Sequence, residues 1–176
     1  GSSGCFNLFL GACAGKAATS GAYNVFLGSY AGQNATEATR SIAIGHKAIG
    51  TGVATCFLNI AIGNCALLSL TSGRDNLAVG TEAGCDITEG EGNTILGNEA
   101  GMKLTTQYQN TLVGFSAGRL ATNWRNTLIG SNAGRCMTTG QGNVAIGDCA
   151  FRGDNSSAGT GDNNVVVGRQ AVINAY

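Results

Sequence analysis

The sequence predicts an all-β protein, a parallel β-solenoid of about ten 17-residue coils, and three observations carry that prediction. First, one nonapeptide pattern, seen in Asn24–Gly32, returns ten times along the 176 residues. Second, the glycine at its centre recurs in steps of 16 to 18 residues, with one longer step of 21. Third, the residues before that glycine are aliphatic or β-branched, as in strands. A fixed period of this length is typical of a solenoid.

The strand of each coil is expected just before the central glycine. The residue directly before the glycine and the residue two positions earlier share one face of a strand. These two columns are apolar apart from Thr94, Thr111 and Thr127, and we predict that they face the inside of the coil. A shorter second strand is expected later in each coil, near a recurrent threonine such as Thr88.

The column between these two is also apolar and would then point outward. With no other segment available to cover it, a second copy of the chain is the simplest cover. We therefore predict these residues as the trimer interface: Phe9, Phe26, Ala43, Ala61, Ala78, Ile95, Leu112, Leu128, Ala145 and Val166.

An asparagine opens nearly every repeat, and its position predicts a structural ladder. Stacked coils place equivalent side chains about 4.8 Å apart, where amides can bond to one another. The ladder residues are Asn7, Asn24, Asn59, Asn76, Asn93, Asn110, Asn126, Asn143 and Asn164. An alanine three residues after each central glycine never varies, which indicates a tight corner.

The amino-acid composition bears on which partners the chain could bind. Only 11% of residues are charged and the formal net charge is zero. No basic face predicts a nucleic-acid partner, and no apolar run approaches the roughly 18 residues that span a bilayer. A surface with so little charge tends to associate. The seven cysteines are odd in number and include no Cys-x-x-Cys pair, so we expect free thiols, a reducing compartment and no zinc site.

The chain is predicted to be one repeat domain over residues 7–176, preceded by a linker or cloning remnant at 1–6. The longest insertion, residues 151–163, forms a loop. It contains Arg152, Gly153 and Asp154, the tripeptide that integrins recognise, and these residues are a possible binding loop. We expect no catalytic residues, no metal and no cofactor.

Asn59–Gly63 and Asn143–Gly147 resemble the head repeat of trimeric autotransporter adhesins of the YadA type. The form ending in Ala-Gly, as in Asn93–Gly101, is similar to repeats of phage and viral tail fibres. The resemblance covers about residues 7–172 and implies a left-handed β-roll assembled as a homotrimer. It implies a structural fibre or adhesin segment of a virus or phage that presents loops to a host receptor or glycan, as part of a virion or extracellular appendage.

Three alternatives remain at this point. The chain could be a bacterial trimeric adhesin head. It could be an ice-binding solenoid, although its recurrent threonine has no second threonine two residues away. It could be a hexapeptide-type acyltransferase with His46 as its base, although the columns that such a coil requires are not aliphatic. The single histidine and the lack of recurring paired carboxylates favour a protein that is not an enzyme.

Overall fold

The computed structural model describes residues 4–50, 55–153 and 161–172, and it confirms the all-β solenoid. Ten strands form a single parallel sheet in which sequence order is also spatial order. Their bounds are β1 Leu8–Leu10, β2 Val25–Leu27, β3 Ile42–Ile44, β4 Ile60–Ile62, β5 Leu77–Val79, β6 Thr94–Leu96, β7 Thr111–Val113, β8 Thr127–Ile129, β9 Val144–Ile146 and β10 Val165–Val167. The described residues contain no helix.

The strands pair in perfect register with the repeat. Leu8 lies opposite Val25, which lies opposite Ile42, and the same correspondence continues to Val165 on the last strand. Each column of the sequence repeat is therefore a straight row of side chains along the solenoid. The 18-residue and 21-residue steps are absorbed outside the strands, so the insertions do not shift the register.

The return half of each coil contains no second strand in the described residues, so that prediction is wrong. The segment consists of turns and bends, with only the isolated bridges Thr39–Phe57 and Phe57–Arg74. Coils still bond there, for example from the amide of Thr71 to the carbonyl of Thr88 at 2.9 Å. The bonds recur from coil to coil, as from the amide of Thr88 to the carbonyl of Thr105, but the chain changes direction every few residues, so no run of residues forms a strand.

The two faces of each strand point in the directions opposite to those predicted. The middle column points into the coil, and most of its members have no exposed surface in a single copy. The prediction that it faces outward as a trimer interface is wrong for Phe9, Phe26, Ala43, Ala61, Ala78, Ile95, Leu112, Leu128, Ala145 and Val166. The physical reason is width: a short coil has room for one strand side chain per turn, together with the corner alanine, and not for two.

Packing inside the coil confirms this direction through complementary volumes. Where the middle residue is Phe26, the residue six positions later is Gly32, and a Cβ there would overlap the phenyl ring. Where the middle residue is Ala43 or Ala61, the residue six positions later is Ile49 or Leu67, and both are fully buried. In these coils a large side chain at one position accompanies a small one at the other, as close packing requires. The coil of Ala78 is an exception, because its sixth residue is Gly84, against which Ile87 and Ile95 lie.

The asparagine column forms a hydrogen-bonded ladder inside the coil. The Nδ2 of Asn93 donates to Oδ1 of Asn76 at 3.0 Å and to the carbonyl of Gln107 at 2.9 Å. The same Asn76 oxygen accepts from the backbone amide of Asn93. The amides of Asn110 repeat this pattern one coil later. Each buried amide therefore satisfies its own polar atoms and a backbone amide of the neighbouring coil.

The insertion at 151–163 is described only at its ends. Phe151 is buried and its amide bonds to the carbonyl of Ala171 at 2.9 Å, while Arg152 is exposed. Gly153 follows with a positive φ. Asp154, the third member of the candidate binding loop, lies outside the described residues.

Candidate interaction surfaces

The outer face of the sheet is a continuous apolar surface. It consists of the first and third residues of the ten strands, which we call the sheet face: Leu8, Leu10, Val25, Leu27, Ile42, Ile44, Ile60, Ile62, Leu77, Val79, Thr94, Leu96, Thr111, Val113, Thr127, Ile129, Val144, Ile146, Val165 and Val167. All are exposed or partly exposed, and Ile62 and Ile146 in inner coils are 37% and 39% exposed. Nothing in the described part of the chain covers them.

The sheet face is long, flat and uncharged. Ten strands at the usual spacing extend it to about 43 Å. Apolar patches of more than a few hundred Å² are uncommon on free monomers and indicate an interaction site. We therefore expect another molecule to bury the sheet face.

One band of the sheet face is polar. Thr94, Thr111 and Thr127 follow one another on β6, β7 and β8, opposite each other in register. Their neighbours on the same strands are Leu96, Val113 and Ile129. Each hydroxyl is both a donor and an acceptor, so whatever covers this band must offer polar partners.

Aromatic side chains stack beside the sheet face, in the two positions before the asparagine column. Phe6 stacks on Tyr23 with ring centroids 5.0 Å apart, and Tyr108 stacks on Trp124 at 5.7 Å. The guanidinium of Arg125 lies 5.5 Å from the Tyr108 ring. These stacked pairs are not among the features predicted from the sequence. Their signal was the spacing of the aromatic residues, which matches the repeat.

Within residues 4–50, 55–153 and 161–172, histidine, thiol and acidic side chains do not cluster into a possible reaction centre. His46, the only histidine, is exposed; its Nδ1 lies 3.2 Å from Oδ1 of Asn64 and its ring meets the edge of Tyr30. Among the described residues, no group of three or more His, Cys, Asp or Glu side chains could hold a metal ion. The same part of the chain contains no helix that is long and apolar enough to cross a membrane.

Two of the seven cysteines are poor nucleophiles. Burial raises the pKa of Cys56. Burial, and then the nearby Asp86 carboxylate, raise the pKa of Cys85 to about 12. Both thiols therefore remain protonated at pH 8, whereas alkylating reagents attack the thiolate.

We expect Cys13, which is exposed, to be alkylated at pH 8 at least about tenfold faster than Cys56 or Cys85. Brief iodoacetamide treatment followed by peptide mass spectrometry measures the three rates. In denaturant the three rates should converge, which is the internal control. Equal rates in the folded protein would contradict the environments described here.

The fold and the sheet face together define the class: a repeat β-solenoid with a filled interior and one uncovered apolar sheet surface. Comparison of the chain with family models, curated proteins and solved structures found no match.

Proposed function

We propose that the chain is a structural segment of a virus or phage tail fibre, built as a homotrimer that presents loops for attachment to a host surface. The observation that carries this proposal is the sheet face. It is uncharged, runs the length of the solenoid and lacks a cover within the described chain. A second copy supplies a cover of the same length and the same apolar character.

The threonine band supports a parallel arrangement of the copies. When solenoid axes run in the same direction, Thr94, Thr111 and Thr127 can meet the same residues of a neighbouring copy, where hydroxyls can bond hydroxyls. In an antiparallel arrangement these strands would meet β5, β4 and β3, which offer Leu77, Ile60 and Ile42. Unpaired buried hydroxyls would then cost about 1–3 kcal/mol each.

The resemblance to fibre and adhesin repeats supplies the trimeric state and the biological setting. The cysteines support folding in a reducing cytoplasm before assembly into a virion, since their number is odd and buried thiols such as Cys56 suit a reducing compartment. The head of a bacterial trimeric surface adhesin is the alternative within the same class. Nucleic acid and membrane insertion play no part in either proposal.

An ice-binding role is a second candidate, and the reversal of the strand faces favours it. The reversal places Thr94, Thr111 and Thr127 in a partly exposed row beside a row of aliphatic residues. A regular array of this kind can order water. Thermal hysteresis measured on the wild-type protein would support this candidate, and its absence would remove it. An acyltransferase gains no comparable support, because His46 lies beside an amide and a phenol.

The experiment for the fibre proposal is a charge placed on the sheet face. We expect Val113→Lys to dissociate the assembly, because three ammonium groups would be buried at one level near the trimer axis. Multi-angle light scattering should then give the mass of a single chain, 17.7 kDa.

The matched control is Thr106→Lys, which adds the same charge at an exposed position of the return segment. This variant should keep the mass of the wild type. If Val113→Lys remains assembled, the sheet face is not the interface between copies.

A further inference from the structure

A row of arginines lies on the return side of the later coils. The row, which we call the arginine ladder, consists of Arg119, Arg135 and Arg152 in three successive coils. Backbone bonds show that they are in register. The carbonyl of Arg119 accepts from Lys103, that of Arg135 from Leu120, and that of Arg152 from Cys136. Equivalent residues of adjacent coils are about 4.8 Å apart, so three like charges are placed in close succession.

Only the first arginine of the ladder has a counter-charge in the described residues. Arg119 Nε lies 2.8 Å from Glu99 Oε2, an ion pair by distance although the N–H does not point at the oxygen. Arg135 Nε is buried and makes no hydrogen bond. The sequence from 103 to 152 contains one acidic residue, Asp148, and it pairs with Arg169 at 3.5 Å.

The repeat shows where the missing counter-charges would lie. Glu99 occupies the second position after the central glycine of the coil before Arg119. In the coil before Arg135 this position is occupied by Ser116, and in the coil before Arg152 it is occupied by Asn132. The register is preserved, because the amides of Glu99, Ser116 and Asn132 bond to the carbonyls of Thr81, Asn98 and Phe115 in turn. The carboxylate of Glu99 is thus replaced by a neutral hydroxyl at Ser116 and by a neutral amide at Asn132 in the next two coils.

We propose that Arg135 and Arg152, with Arg119 beside them, form a binding site for a tetrahedral oxyanion, the phosphate or sulfate ester group of a saccharide. Guanidinium groups donate paired N–H bonds to such oxygens. Two guanidiniums on successive coils match an anion with three or more acceptor oxygens. The charge of a phosphate monoester also matches, since Arg135 and Arg152 are two cations without an ion pair among the described residues and the phosphate is doubly charged.

The site belongs to a single chain, so it does not depend on assembly. A monomeric protein that binds phosphate would overturn the fibre proposal and leave this site intact. If the assembly is correct, the ladder supplies the anion-recognising part of the attachment surface.

The test measures binding of inorganic phosphate, inorganic sulfate, dextran sulfate and neutral dextran by calorimetry on the full chain. We expect the two free anions and dextran sulfate to bind the wild type, and neutral dextran not to bind. The double variant Arg135→Ala/Arg152→Ala should lose at least tenfold in affinity. Arg152→Ala alone, at an exposed position, should weaken binding without a change in the circular dichroism spectrum.

Two further variants separate the site from general charge. Arg125→Ala removes the same charge beside Tyr108 and should stay within twofold of the wild type. Asn132→Glu fills the position equivalent to Glu99 in the coil before Arg152 and should weaken phosphate binding at least tenfold. Glutamate suits that position, because Glu99 and Asn132 have similar φ values of 56° and 54° and Asn132 is partly exposed.

Binding of sulfate but not phosphate, or of phosphate but not sulfate, would identify which ester the site accepts and would support the proposal. An equal loss in Arg125→Ala and in the double variant would overturn it. So would the failure of both anions and dextran sulfate to bind the wild type, or unchanged binding in Asn132→Glu.

Discussion

Gly97→Ala should destabilise the solenoid by about 3 kcal/mol or more. Gly97 ends β6 with a φ of +140°, a region that residues with a side chain rarely adopt. An added Cβ would also overlap the carbonyl oxygen of Gly114 in the next coil. The clash is with backbone that is itself bonded to Leu96, from the amide of Gly114 at 2.8 Å. Relief therefore requires separation of two coils.

Chemical unfolding followed by circular dichroism measures this loss. Gly92→Ala is the matched control, because Gly92 has a φ of +63° and the nearest atom to an added Cβ is Gln109 Cγ at 3.8 Å. That substitution carries only the strain of the left-handed conformation, about 1–2 kcal/mol. Equal losses in the two variants would mean that the close approach of the coils is not what requires glycine at position 97.

Leu112→Ala should cost about 2–5 kcal/mol, since it empties a fully buried position in the coil. The loss should be the same at every protein concentration, because the cavity lies inside one chain. Unfolding in urea at a low and a high protein concentration measures it.

The neighbouring substitution Val113→Ala provides the contrast. Val113 lies on the sheet face and is partly exposed in one copy. Its truncation should cost less than about 1 kcal/mol in dilute protein, and the loss should grow with concentration if copies bury this face. A larger loss from Val113→Ala than from Leu112→Ala in dilute protein would contradict the orientation of the strand.

The strands and their register could be predicted because the repeat encodes them directly. Ten aliphatic residues before ten glycines locate the strands, and a constant period stacks them. Polarity distinguishes the two faces only at Thr94, Thr111 and Thr127, which lie on the outer face, since elsewhere both faces are apolar. Volume complementarity holds the distinguishing signal: Phe26 occurs with Gly32, and Ala43 with Ile49.

The remaining features depend on contacts between coils that no single repeat contains. The stacking of Tyr108 on Trp124 follows from register and is recoverable once the period is known. The ion pair of Arg119 with Glu99 links different columns of neighbouring coils, so the spacing alone does not reveal it. The return segment was misassigned as strand because its threonines are β-branched, while its frequent changes of direction are a property of the closed coil.

The mass of the wild-type chain in solution tests the central claim, that the sheet face is covered by other copies of this chain. Light scattering across a dilution series should give about three times 17.7 kDa in concentrated protein, with the mass of a single chain only on dilution. A folded monomer at all concentrations would contradict the account. The sheet face would then serve water, ice or a different partner.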